Sequence, residues 1–350
     1  MSWIRRRPLL ALGALALVLR ASCALVTEFK PIFPAYYYTD ANLIHAAATG
    51  ALEDVHAGRA PMINGTLSAR IQTLITLQTY RTFGARPLAI KLINAVLGAL
   101  AVVTLTWALT FVFPLRIALI SGIFVALWPS HIFYTSQNLK EAPAALLAYA
   151  ALGGTLAAGF DINLTLPRAT SFAFGAALAL IGAGFYRSYV LVNLTAALLL
   201  ALGLASLSAR ARRANTVATA AILLAALMFY PIAASSVLLS FHSQALGASD
   251  RGRIQPRLIP VTYNEFHPGA VIRPTSPEGI TFFRKSRQFA DRYWAKFQSP
   301  NSREIGTQIY PDAEFKSWGD VLSFLPKGSF AALFMPLPGL YALDGKIGRW

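Results

Sequence analysis

Long apolar runs recur along this 350-residue chain, at 8–27, 89–112, 117–137, 142–160, 171–186, 188–207 and 217–240, with short polar stretches between them. A spanning helix needs about 20 largely apolar residues, because each adds about 1.5 Å across a hydrocarbon layer of about 30 Å. The pattern predicts seven membrane spans within residues 1–240, the fifth of them short. Between the first two lies a long outer loop, residues 28–88. Apolar positions at helical spacing predict two short interfacial helices there, Ala41–His56 and Leu67–Phe83, with Gly50 and Gly58 as stops. Tyr36, Tyr37 and Tyr38 fall where an aromatic belt is expected.

After Ser240 the pattern changes, and charged residues, Pro and Gly return. Residues 241–329 read as an extracytoplasmic segment of mixed register, with short strands at 261–263 and 272–274 and an amphipathic helix over 280–297. Residues 330–350 are apolar but broken by Pro336 and Pro338, and read as an interfacial or incomplete membrane segment.

Composition agrees with a bilayer as solvent: 55% of the residues are hydrophobic and only 13% are charged, too few to cover a soluble domain of this length. The formal charge of +16 is not a nucleic-acid footprint, since the basic residues form no dense run with interleaved aromatics. They lie at span edges. Arg5, Arg6, Arg7, Arg116, Arg168, Arg210, Arg212 and Arg213 share one side if the N-terminus is cytoplasmic, as the positive-inside rule requires. The chain is expected in the inner (cytoplasmic) membrane, multi-pass, with its N-terminus in the cytoplasm. Arg5–Arg7 before a run ending in small residues has the layout of a signal peptide, but Arg20 and continuation to Val26 favour an uncleaved anchor. Cys23 is the only cysteine, which excludes intramolecular disulfides and a cysteine zinc site.

Few residues carry candidate chemistry. Asp40, in YYYTD, is placed to act as general base or metal ligand at the outer face, or to cap the helix that follows. Glu53 and Asp54 are alternative acids, suited to a cation or to a solvated face. Lys140 and Glu141 occupy the outer turn between spans three and four, where a lysine offers a point charge to phosphate or the pair simply closes a turn. Arg187 is the lone charge in an apolar stretch, and its planar guanidinium suits an anionic head group as well as an interface. Arg20 is read as snorkelling or pairing with Asp40, and His131 as a structural residue of span three. The sequons at Asn163 and Asn193 fall in an inner loop and a span, and that at Asn64 is a bare pattern.

The stretches YYYTDANLIHAAATG, FGARPLAIKLINAVLGALAVVTLTWAL, ALISGIFVALWPSHIFYTSQNLKEAPAALLAYA and GAGFYRSYVLVNLTAALLLAL, in this order and spacing, resemble the GT-C superfamily of glycosyltransferases. The likeness covers residues 8 to 210 and is to the protein-mannosyltransferase-like and aminoarabinose-transferase-like bacterial enzymes. It implies an all-α polytopic membrane protein with a GT-C-like helical bundle at residues 1–240. It also implies sugar transfer from a polyprenyl-phosphate-linked donor to a glycan, lipid or protein acceptor on the outer face. Asp40 would be the catalytic acid, with Lys140, Glu141 and Arg187 around the lipid phosphate. Ala41 stands where the family often has a second acid, so the metal is left unknown, a divalent cation included. The family's further spans after the outer segment make this chain expected to be a fragment or a shortened homologue. A lipid flippase or transporter and a non-catalytic membrane scaffold are the other readings of the same pattern.

Overall fold

The structure, a computed structural model, describes residues 3–30, 38–61, 63, 66–161, 163–207, 213–249 and 315–334. Every regular element among them is a helix: α1 Trp3–Phe29, α2 Thr39–His56, α3 Leu67–Phe83, α4 Pro87–Leu109, α5 Leu115–Leu127, α6 Pro129–Tyr134, α7 Glu141–Phe160, α8 Leu166–Tyr186, α9 Ser188–Ser206, α10 Arg213–Ser249 and α11 Trp318–Phe334. Among the described residues five helices are long and apolar enough to cross a membrane: Arg7–Phe29, Pro87–Leu109, Glu141–Phe160, Leu166–Tyr186 and Ala214–Ser235. Leu115–Leu127 and Val190–Ser206 are shorter apolar helices. The chain is a helical membrane protein, with five full-length candidate spans among the described residues where the pattern predicts seven.

Two expected spans differ: residues 188–207 give the shorter apolar helix Val190–Ser206, and residues 117–137 do not form one span. Pro129 disfavours helical geometry at the residue before it, and Trp128 is extended (φ −66, ψ 113), so α5 stops after 13 residues. At 1.5 Å per residue it is about 20 Å long, short of a hydrocarbon core. Pro129 then opens the six-residue α6, and residues 135–140 are non-helical. The opposite correction applies to span five. Thr165 is extended and Pro167 lies in the first turn, where its fixed φ suits a helix start, so α8 begins at Leu166 and runs for 21 residues. The seventh apolar run is part of the longer α10, which contains Pro231.

The two loop helices stand where their periodicity places them. Gly58 (φ 69) ends α2, with its N–H donating to Val55 O and that of Arg59 to Asp54 O. Thr66 caps α3 through Ala69 N, and Gly84 (φ 81) closes it. Ala48, Leu52, Leu77, Tyr80 and Ile90 pack α2 and α3 against the start of α4.

Within the bundle α4 packs on α1 and α7, and α7 on α8. Lipid tails are as apolar as leucine, so helices associate by close packing of small residues. Ala158, Ala169 and Ala173 meet between α7 and α8, and Leu180, Leu191, Leu198, Leu202 and Leu223 join α8, α9 and α10. A Cβ at Gly154 would lie 2.9 Å from the Phe172 carbonyl oxygen, which is backbone and cannot swing aside. We expect Gly154→Val to push α7 from α8 and cost about 1–3 kcal/mol. Gly175→Val, which meets nothing within 4 Å, is the control. Equal unfolding temperatures for the two variants in detergent would refute this packing.

By contacts the chain forms two compact units, residues 1–30 with 40–254, and residues 31–39 with 255–350. The described part of the second includes α11, whose start is capped reciprocally: the N–H groups of Lys316 and Ser317 donate to Asp320 Oδ2, and the Asp320 N–H to Ser317 Oγ. This helix runs across the boundary placed at residue 329. The strands expected at 261–263 and 272–274 and the helix expected at 280–297 lie outside the described residues.

Candidate functional site

The ends of α1 and α8 and the starts of α4, α7 and α9 meet at one end of the bundle, tied by polar groups from separate helices. The Arg187 guanidinium donates to Glu141 Oε1, joining the residue between α8 and α9 to the first turn of α7. Both side chains are partly buried, 30% and 25% exposed. Arg187 is itself extended (φ −148, ψ 91), and its N–H closes α8 on Ala183 O. Glu141 suits its place because a carboxylate in a first turn faces the positive end of the helix dipole. Its second oxygen, Oε2, is buried without a protein partner.

Lys140, immediately before α7, donates to Ser68 Oγ at 3.3 Å and so reaches the start of α3. Burial lowers its pKa, and the neighbouring Arg187 cation adds to that, while Glu141 and Asp40 oppose it. Asp40 is therefore close enough for its charge to act on Lys140. It is exposed, one residue inside α2, so it is a first-turn acid and not the residue that precedes the helix. Asp40, Glu141 and Arg187 thus all act electrostatically on Lys140 at this end.

Glu53 and Asp54 stand elsewhere. They lie at the far end of α2, about 20 Å along its axis from Asp40. Asp54 forms an exposed pair with Arg59 at 2.7 Å. No group of three or more His, Cys, Asp or Glu side chains among the described residues could hold a metal ion. Arg20 neither snorkels nor pairs with Asp40. It is fully buried and donates to Thr135 Oγ1 (2.9 Å), His131 Nδ1 (2.7 Å) and the carbonyls of Ala16 and Ala126. His131 has the structural part expected of it, as acceptor for that guanidinium.

Sequence reasoning passed over two features. The first is the stretch Thr135–Leu139, where the run read as span three gives way to the outer turn. Every residue in it is buried, and its polar groups reach three helices. Gln137 Nε2 donates to Thr27 Oγ1 in α1 (3.0 Å), Asn138 Oδ1 accepts from Gln72 and Thr76 in α3, and Asn94 Nδ2 in α4 donates to the carbonyls of Gln137 and Leu139. Gln72 Oε1, Gln137 Oε1 and Asn138 Nδ2 are buried without protein partners. Buried polar atoms are seldom left so, which marks this end of the bundle as a place for water or a polar ligand.

The second feature is a cluster from four helices. Lys91 Nζ in α4 pairs with Glu28 in α1 at 2.8 Å, and the Tyr80 hydroxyl in α3 shares a 2.8 Å hydrogen bond with His45 Nδ1 in α2. Burial lowers the His45 pKa and raises that of Tyr80, with the Glu28 charge raising both. The signal for Lys91 was present: it is the lone charge of its apolar run, as Arg187 is of its own.

An apolar cavity of about 340 Å³, lined by Thr104, Trp107, Gly154, Phe172 and Ala176, opens toward the other ends of α4 and α8, away from these groups. Its lining suits hydrocarbon and offers no chemistry. Comparison of the chain with protein-family models, with curated proteins and with solved structures gives no match.

Proposed function

We propose that this chain is a GT-C-type glycosyltransferase that moves a sugar from a polyprenyl-phosphate-linked donor to an acceptor on the outer face of the cytoplasmic membrane. The observation that carries the reading is the gathering of Asp40, Lys140, Glu141 and Arg187 at one end of the bundle. The exposed Asp40 carboxylate acts on Lys140, which in turn neighbours the Arg187 cation, and a base near cations is what transfer from a phosphate leaving group needs. Asp40 takes the proton from the acceptor hydroxyl or amine, and the acceptor atom bonds to the anomeric carbon as the bond from that carbon to the phosphate oxygen breaks, inverting the configuration. Lys140 and Arg187 stabilise the polyprenyl phosphate that leaves, with Glu141 orienting the guanidinium.

The test supplies polyprenyl-phosphate sugars to protein reconstituted in vesicles and follows release of the lipid phosphate. We expect Arg187→Lys to lose about 10–100-fold, since lysine keeps the charge but not the planar fork. Because the Lys140 pKa is lowered, its charge disappears as pH rises through that value, and donor binding should weaken at a pH below the ordinary lysine range of about 10.4. A flat alkaline limb would remove Lys140 from the phosphate site. Absence of release with every donor, from protein that remains folded, would overturn the transferase reading.

The proposed orientation is supported by Arg7, Arg116 and Arg168, which lie at the opposite end of the bundle from the site. In a Cys23→Ser background, cysteines at 140 and 187 should react with an impermeant maleimide from outside, and cysteines at 116 and 168 only from inside. An inner location for position 187 would contradict a site on the outer face. A transporter would use charges deep within its spans, and Arg20 is such a charge. Its hydrogen bonds to hydroxyl, imidazole and carbonyl groups give it a structural task instead.

A further inference from the structure

We propose that Arg20 is a positioning residue for the proposed site: its buried guanidinium sets where Lys140 and Glu141 stand by seating the non-helical segment that leads to them. The proposal rests on reading Lys140, Glu141 and Arg187 as the phosphate end of that site.

A charge in a membrane span is costly unless something answers it, and no carboxylate pairs with Arg20 among the described residues. What answers it is the break in the chain after α5. Pro129 and the extended Trp128 end that helix, leaving carbonyls at its negative dipole end, and Ala126 O faces the guanidinium at 3.5 Å. The two shortest bonds go further along the same segment, to His131 Nδ1 at 2.7 Å and Thr135 Oγ1 at 2.9 Å. Arginine is always a donor, so Nδ1 accepts and the His131 proton sits on Nε2. Thr135 Oγ1 in turn donates to His131 O. Arg20 thus grips the end of α5, the middle of α6 and the first residue after α6 at once.

From Thr135 only four residues separate this grip from Lys140, and they have no helix of their own to hold them. The opposing wall is cut to fit. Gly98 in α4 leaves the space that Thr135 and Arg20 fill: a Cβ there would lie 2.6 Å from Thr135 Oγ1 and 2.9 Å from Arg20 Nε. Asn94, one turn earlier on α4, holds the carbonyls of Gln137 and Leu139. Without the guanidinium, the His131 nitrogen and Thr135 hydroxyl lose their donor in a buried setting, and the segment's lowest-energy response is to open toward water.

The test reads the segment directly, in the full chain in lipid nanodiscs. In a Cys23→Ser background, Leu139→Cys places a thiol at a buried position beside Lys140, and Leu77→Cys places one in the packing of α2 on α3. We expect Arg20→Met to speed maleimide labelling at 139 by about tenfold or more and to leave position 77 slow. Arg20→Lys should restore part of the protection, because it keeps the charge but not the fork that spans His131 and Thr135. If Arg20→Met does not fold, Gly98→Ala displaces the same two groups with the charge retained, and should give the same selective acceleration. Labelling at 139 that stays within about twofold of the parent, or equal acceleration at 77, overturns the proposal. The readout needs no turnover, so a parent protein that fails to release lipid phosphate sinks the transferase reading and leaves this result to stand or fall on its own.

Discussion

On the proposed transferase reading, Asp40→Asn should lower sugar transfer by about 10²–10⁴-fold while leaving the protein inserted and folded. The amide keeps the side chain's size but cannot take a proton. Asp40 is exposed in the first turn of α2, so losing its charge forfeits only a small dipole interaction of about 0.3–1 kcal/mol. Turnover and unfolding temperature, measured on the same preparation, separate the two effects. Undiminished turnover would take Asp40 out of the mechanism. The search for a base would then move to Glu141, because Glu53 and Asp54 lie at the far end of α2 and Asp54 is held by Arg59.

Lys91→Met is the substitution expected to cost most stability, about 3 kcal/mol. The Lys91 side chain is 9% exposed and that of its partner Glu28 is 22% exposed, so methionine fills the space but leaves a carboxylate with little water to solvate it. Glu28→Gln added to Lys91→Met should recover most of the loss, since neither partner then carries charge. Recovery is the decisive arm: a double variant as unstable as the single one would mean that Lys91 acts through packing alone. The Lys91 charge also depresses the His45 pKa, so Lys91→Met should raise it, and a histidine titration followed by NMR reads that directly.

What could be read locally was read well. Apolar runs at 89–112 and 142–160 became α4 and α7, and the amphipathic spacing of the outer loop became α2 and α3, with Gly58 ending α2 as expected, whereas Gly50, expected as a stop, lies inside α2 because its neighbours on both sides continue the helical spacing. Residues 117–137 were misread although Pro129 was in plain view. Apolar content carried on past it, and run length counts hydrophobicity without regard to whether the backbone can stay helical. In the same way the charges between residues 161 and 170 hid the first turn of α8, which Pro167 begins.

The sequence by itself determined that this is a helical membrane protein, which end of its spans carries the basic residues, and that Asp40, Lys140, Glu141 and Arg187 lie near span boundaries. Those properties follow from run length and from charge placed beside apolar runs, and both are local along the chain. Only the tertiary structure decided which of these groups meet, that Lys91 answers Glu28, and that Arg20 is bound by His131 and Thr135 and not by an acid. Each of those pairings joins distant segments. Its partner is chosen by where two helices cross and by what a glycine such as Gly98 leaves room for, which no periodicity within either segment specifies.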